Sequence, residues 1–231
     1  MFIKIICISF VGGLLSLDRM FIQAMVSRPI IIAPVIGLIL GNPYAGLIVG
    51  AILELLWIDR IPIGIYIPPN DSIAAAFAAS TAILAGQALG VVTSELMALS
   101  ILIAIPFGIV VKKMDVKIIE SNNFLSDQAL ESARSLNLRA IEKKTYWGMA
   151  KLSLSYMVLL LILQLIFIPS VIWIYPKLPA GIHAMLSLTY FFLPLLGIAV
   201  AINTIKLRGA IPVFCAIFLV LSAALEFFHV F

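Results

Sequence analysis

The sequence is poor in charge, in cysteine and in histidine, and each shortage closes off a class of protein. Only 11% of its 231 residues are charged while 63% are hydrophobic, against about 25% and 45–50% in soluble domains. A water-soluble fold of this length has no interior large enough for that much apolar surface, so the chain reads as an integral membrane protein. The two cysteines, Cys7 and Cys215, each lie inside an apolar run, with no CxxC or Cys/His cluster. That arrangement indicates neither a disulfide framework nor a zinc site, and small apolar filler is the reading. The two histidines, His183 and His229, have no acidic neighbour in sequence, which argues against a phosphoacceptor or proton relay of the chain's own. No A-x-A cleavage site follows the first apolar run; Asp18-Arg19 follows instead, so residues 1–17 read as retained rather than as a removed signal. The net charge of +4 comes from basic flanks of apolar segments and implies no affinity for nucleic acid.

What is present is a set of long uncharged runs. A bilayer core about 30 Å thick needs roughly 20 apolar residues of helix, and the runs at 72–94, 96–111, 148–174, 180–205 and 209–230 are candidates. Residues 29–57 are interrupted by Gly41-Asn42-Pro43, a turn signal followed by a helix starter. The segments 29–40 and 44–57 are thus expected as two half-length helices, each too short to cross. Such pieces survive at membrane depth only where protein or a wet cavity covers their freed backbone groups. A third irregular piece, 61–70, carries Pro62, Gly64, Pro68 and Pro69.

Nearly half of the charged residues fall between 112 and 144, and the Lys/Arg there place that stretch on the cytoplasmic side. Within it, apolar positions 129, 130, 133, 136, 140 and 141 have helical spacing, which predicts a short amphipathic helix that lies on the bilayer surface or docks a soluble partner. The chain therefore divides into a broken-helix half (1–111), an amphipathic cytoplasmic connector (112–147) and C-terminal spans (148–231). Trp57, Trp147 and Trp173 are expected at the interfaces.

Ionisable groups inside membrane segments are costly and by default functional. Asp18, Arg19, Gln23, Arg28, Glu54, Asn70 and Asp71 stand out in the N-terminal half. Simpler roles compete for each: Asp18 could pair with Arg28, Glu54 with Arg28 or Arg19, and Asp59 with Arg60, while Asn70 or Asp71 could cap a helix beginning near Ser72. Carboxylates accept, and amides both accept and donate, so the set suits a neutral polyhydroxylated solute. A cation pathway would use the same groups.

The run LDRMFIQAMVSRPIIIAPVIGLILGNPYAGLIVGAILELLW, followed by P-x-G-x-x-x-P-P-N-D, resembles the IIC membrane subunit of the mannose/fructose/sorbose (and N-acetylgalactosamine) phosphotransferase permeases. Leu17-Asp18, Arg28-Pro29, Gly37, Leu40-Gly41, Gly46, Gly50, Glu54-Leu55, Gly64 and Pro69-Asn70-Asp71 carry the likeness. Many relatives have an aspartate straight after the proline, where this chain has Asn70 and then Asp71.

The resemblance implies an all-α polytopic protein of the bacterial inner (plasma) membrane, with re-entrant hairpins and an elevator-type architecture. It implies a IID membrane partner, assembly as a trimer of heterodimers, and soluble IIA and IIB units that relay phosphate to the sugar. It implies no cofactor, no metal and no phosphohistidine in this subunit. Asp18, Gln23, Arg28, Glu54, Asn70 and Asp71 are the expected sugar-binding residues, with Arg28 orienting the acids. The alternatives are a scaffold for a IID subunit that supplies most sugar contacts, and an ion-coupled transporter without phosphoryl transfer.

Overall fold

The computed structural model describes residues 1–21, 23–60 and 66–204, together with a few positions between 212 and 220. Pro62, Gly64, Glu226, His229 and most of the 209–230 span lie outside the described residues. The described chain is helical: α1 (Phe2–Leu15), a 3-10 turn (Ser16–Arg19), α2 (Pro29–Leu40), α3 (Pro43–Leu56), α4 (Asp71–Leu89), α5 (Ser94–Arg134), α6 (Leu138–Ile174), a second 3-10 turn (Tyr175–Lys177) and α7 (Ala180–Thr204). Four segments, α4, α5, α6 with its following turn, and α7, are long and apolar enough to cross a membrane, and α2 and α3 are shorter apolar helices.

The break between α2 and α3 arises as its residues predict. Gly41 takes the left-handed conformation (φ 79°) that stops α2, and the Asn42 side chain accepts from Ala45 N to start α3. Pro43 occupies the first turn of α3, where a missing N–H costs nothing. At 1.5 Å per residue each helix is about 20 Å long, short of the bilayer core. The two run antiparallel in close contact because glycines line their seam. A Cβ on Gly46 would lie 2.4 Å from Ala33 O, and one on Gly50 would lie 2.4 Å from Pro29 O.

Helix α4 is the axis of the molecule. Residues 71–86 are all buried, and their alanine-rich sequence lets α1, α2, α3, α5 and α6 approach from every side. Phe77 packs edge-on to Phe107 of α5 and Phe167 of α6, with centroids 5.0–5.6 Å apart across the three rings. Helix α7 sits outside, against α3 and α5.

Two expectations are corrected. The hydrophilic stretch 112–147 contains no separate amphipathic helix. Helix α5 continues unbroken to Arg134, the chain reverses through Ser135–Asn137 with Leu136 at φ 54°, and α6 begins at Leu138. The apolar positions 129, 130 and 133 therefore belong to one arm of a helical hairpin and 140 and 141 to the other. Asn137 caps α6 by accepting from Ala140 N, so a single capping residue divides a run whose period is helical on both sides. Lys144 ties the arms by donating to Gln128 O and Ser132 Oγ at 2.6 and 2.9 Å. The second correction is Trp57, which is buried against Gly108 rather than placed at an interface. Trp147 and Trp173 are exposed, and Lys177 Nζ lies 3.4 Å above the Trp173 ring.

Candidate functional site

A cleft of about 230 Å³ opens where the end of α1, the start of α2 and the start of α4 converge. Asp18, Gln23, Arg28 and Asp71 line it, as do Arg19, Ser27, Arg60 and Pro68.

Asp71 lies at the centre of the charge. Its Oδ1 accepts from Arg19 Nη1, and Ser72 N donates to the same oxygen at 3.0 Å. Its Oδ2 lies 3.8 Å from Arg28 Nη1 and retains capacity for another donor. Arg19 also donates to Pro68 O at 3.0 Å and Pro69 O at 2.8 Å, satisfying carbonyls that the Pro68-Pro69 turn leaves outside any helix. Arg28 in turn donates Nε to Glu54 Oε1 at 2.8 Å. Glu54, Arg28, Asp71 and Arg19 thus alternate in sign along one chain of contacts.

Asp18 has a different task. Its Oδ1 accepts from Ala24 N at 2.7 Å, and its Oδ2 accepts from Ser27 N and Ser27 Oγ at 3.1 and 3.2 Å. Both oxygens are thereby spent on folding residues 23–28, in which Gln23 and Met25 take positive φ (56° and 62°). Gln23 stands exposed at the rim.

The expected set is therefore split. Asp18, Gln23, Arg28 and Asp71 meet at the cleft, and Glu54 reaches it through Arg28. Asn70 faces away: it is fully buried, its Oδ1 accepts from Ile73 N at 3.0 Å, and its Nδ2 donates to Asp115 Oδ2 at 3.0 Å. Of the pairings open in the sequence, the structure makes Glu54 with Arg28 and Asp59 with Arg60 (3.2 Å), whereas Asp18 binds backbone rather than Arg28. Sequence reasoning misses Asp115 and Tyr156. Asp115 falls in the hydrophilic connector by charge, yet it continues the buried stripe Ile101, Ala104, Gly108, Val111 along α5; that spacing is the available signal. His183 packs edge-on to Tyr175 with centroids 4.7 Å apart, a structural contact remote from the cleft.

Comparison with known proteins gives one consistent result. Residues 2–229 match the family described as the PTS system sorbose-specific IIC component. The chain is 29% identical over 105 residues to a putative N-acetylgalactosamine permease IIC component of Escherichia coli, covering 46% of this chain and 71% of that protein. It is 23% identical over 225 residues to the fructose permease IIC component of Bacillus subtilis, covering 97% of this chain and 80% of that protein. The fold is similar to that of the mannose transporter ManYZ, solved in complex with a microcin: TM-score 0.64, 19% identity, 96% of this chain and 87% of that one. A second solved membrane protein aligns with TM-score 0.75 at 18% identity, over 95% of this chain and 86% of that one.

Proposed function

The chain belongs to the sorbose-specific IIC family of phosphotransferase-system components, and we propose that its cleft between α1, α2 and α4 is where the sugar binds. The protein is the IIC permease component of a phosphotransferase sugar transporter of the mannose family. On this reading Asp71 Oδ2, Arg28 and Gln23 contact sugar hydroxyls directly. Glu54 holds Arg28, Asp18 shapes the loop that carries Gln23, and Asn70 sets the start of α4. The relatives' names give a hexose or an amino sugar as the solute class.

The single observation that carries the assignment is Asp71, a carboxylate held between two arginines at a cleft with one oxygen unsaturated. The short α2–α3 hairpin abuts the same cleft through Arg28 and Glu54. This supports a re-entrant element that moves with the sugar in an elevator-type transport cycle. A IID subunit completes the path within a trimer of heterodimers, a reading that the likeness to ManYZ supports. The hydrophilic α5–α6 hairpin tip reaches into the cytoplasm of a bacterial cell from its plasma membrane. IIB receives its phosphate from IIA and phosphorylates the delivered sugar there.

Replacing Asp71 with Asn tests the assignment, because it removes the charge while keeping the shape. A hydrogen bond to a charged group is worth about 1.5–3 kcal/mol, so sugar affinity should fall about ten- to a hundred-fold. Uptake of radiolabelled sugars in cells carrying the complete system, normalised to membrane-inserted protein, reads this. Unchanged uptake would move the sugar contacts to the IID partner and leave this chain as a scaffold.

A further inference from the structure

We propose that Asp115 is a positioning residue for the sugar site, acting through Asn70 to fix the direction in which Asp71 faces the cleft. The proposal rests on the cleft being the sugar site. Asp115 is fully buried in α5 and has no Lys, Arg or His of the described residues within 4.0 Å. Its three bonds instead come from neutral donors: Asn70 Nδ2 at 3.0 Å to Oδ2 and 3.3 Å to Oδ1, and Tyr156 Oη at 3.0 Å to Oδ1. An ionisable side chain enclosed in a membrane protein without a paired counter-charge is expensive, and apolar side chains would pack there more cheaply. Something other than stability has to account for it.

Orientation of the Asn70 amide does. A carboxylate accepts and never donates, so only the NH₂ end of Asn70 can face Asp115. That leaves Oδ1 directed at Ile73 N, where it caps α4. The Asn70 backbone N–H donates to Gly108 O of α5 at 2.8 Å, so the residue is held at three points. Asp71 is the next residue, and its carboxylate meets Arg19 and Arg28 on the opposite side of the same turn. Tyr156, buried in α6, completes the support. The α4 N-terminus is thus clamped from the cleft by arginine and from behind by Asp115.

A leucine at 115 would take away the carboxylate that fixes the Asn70 amide, leaving its NH₂ unpaired and the amide free to turn and uncap α4. Exchanging the two groups restores the pattern, because an aspartate at 70 accepts from the amide then at 115 and still accepts from Ile73 N. The experiment measures KM and Vmax for sugar uptake in the assembled system for three variants, Asp115→Leu, the exchange Asn70→Asp with Asp115→Asn, and Asp71→Asn.

The single change should raise KM about five- to ten-fold, the factor a lost helix cap implies, with Vmax per inserted protein little altered. The exchange should return KM close to the parent value. A merely structural role predicts less inserted protein at unchanged KM, and that result would overturn the proposal. So would a KM defect that the exchange fails to relieve. If Asp115→Leu does not insert, insertion and a parental KM in the exchange variant support the pairing, and a raised KM or failed insertion there refutes it. Should Asp71→Asn abolish uptake while Asp115→Leu is silent, the positioning role alone fails. Normal uptake by Asp71→Asn would remove the sugar-site reading itself.

Discussion

Replacement of Arg19 by Met is expected to abolish transport by removing the folded protein from the membrane. The guanidinium is almost enclosed, with 7% of its side chain exposed. It serves three acceptors at once, the Asp71 carboxylate and the Pro68 and Pro69 carbonyls. Methionine fills much of the space but removes the charge paired with Asp71 Oδ1 and the side-chain donors to the Pro68 and Pro69 carbonyls, leaving Asp71 Oδ1 with Ser72 N alone. Breaking one side of a buried ion pair costs about 3–5 kcal/mol, a large share of the roughly 5–15 kcal/mol that holds a domain folded.

Lysine should recover only part of the loss, because one ammonium cannot reproduce the planar fork that reaches all three acceptors. Fluorescence-detected size-exclusion chromatography of a tagged protein would report the amount of folded material, with uptake measured beside it. An Arg19→Met variant that is present at parental levels and transports normally would contradict the clamp.

Gly50→Val should be nearly as damaging, for a steric reason. The added Cβ would stand 2.4 Å from Pro29 O and 3.1 Å from Ala33 Cβ. The first obstacle is backbone, so no side-chain rotation relieves it, and α2 must move away from α3. Overpacking of this kind costs typically about 1–3 kcal/mol and more when backbone must shift. The displacement falls on the first turn of α2, where Arg28 leaves the chain toward both Glu54 and Asp71. Transport should therefore fail even where insertion survives, and initial uptake rates per inserted protein would show it. Gly181→Ala is the matching control, since nothing lies within 4 Å of its Cβ position. Equal uptake by the Gly50 variant and the control would mean that the helix seam tolerates separation.

Local chemistry makes much of the architecture legible in the residues themselves. The α2–α3 break needs only Gly41, Asn42 and Pro43, because a left-handed stop, a side-chain cap and a proline start act within a few residues of one another. The cap at Asn70 follows from the same kind of short-range bond. Legibility ends where short-range signals are equivocal or silent. Asn137 is one capping residue in a run of steady helical period, so the α5–α6 turn passes for continuous helix. Asp115 sits among solvated charges in sequence, and only the rotation of α5 turns it inward onto Asn70 and Tyr156.

The candidate site divides along the same line. That polar groups cluster in residues 18–71, within a chain otherwise too apolar to be soluble, follows from composition and span length alone, since charge at membrane depth is costly wherever it falls. Which of them meet does not. Arg19 and Asp71 are 52 positions apart, and Asn70 and Asp115 are 45 apart. Their contact depends on how far each helix is turned about its axis and how the helices slide along one another. Those two quantities come from packing around α4, where alanine and glycine allow backbones to touch. Hence adjacent residues Asn70 and Asp71, alike in polarity and equally suited as ligands, face opposite ways: the helical turn between them sends one into the protein and the other to the cleft.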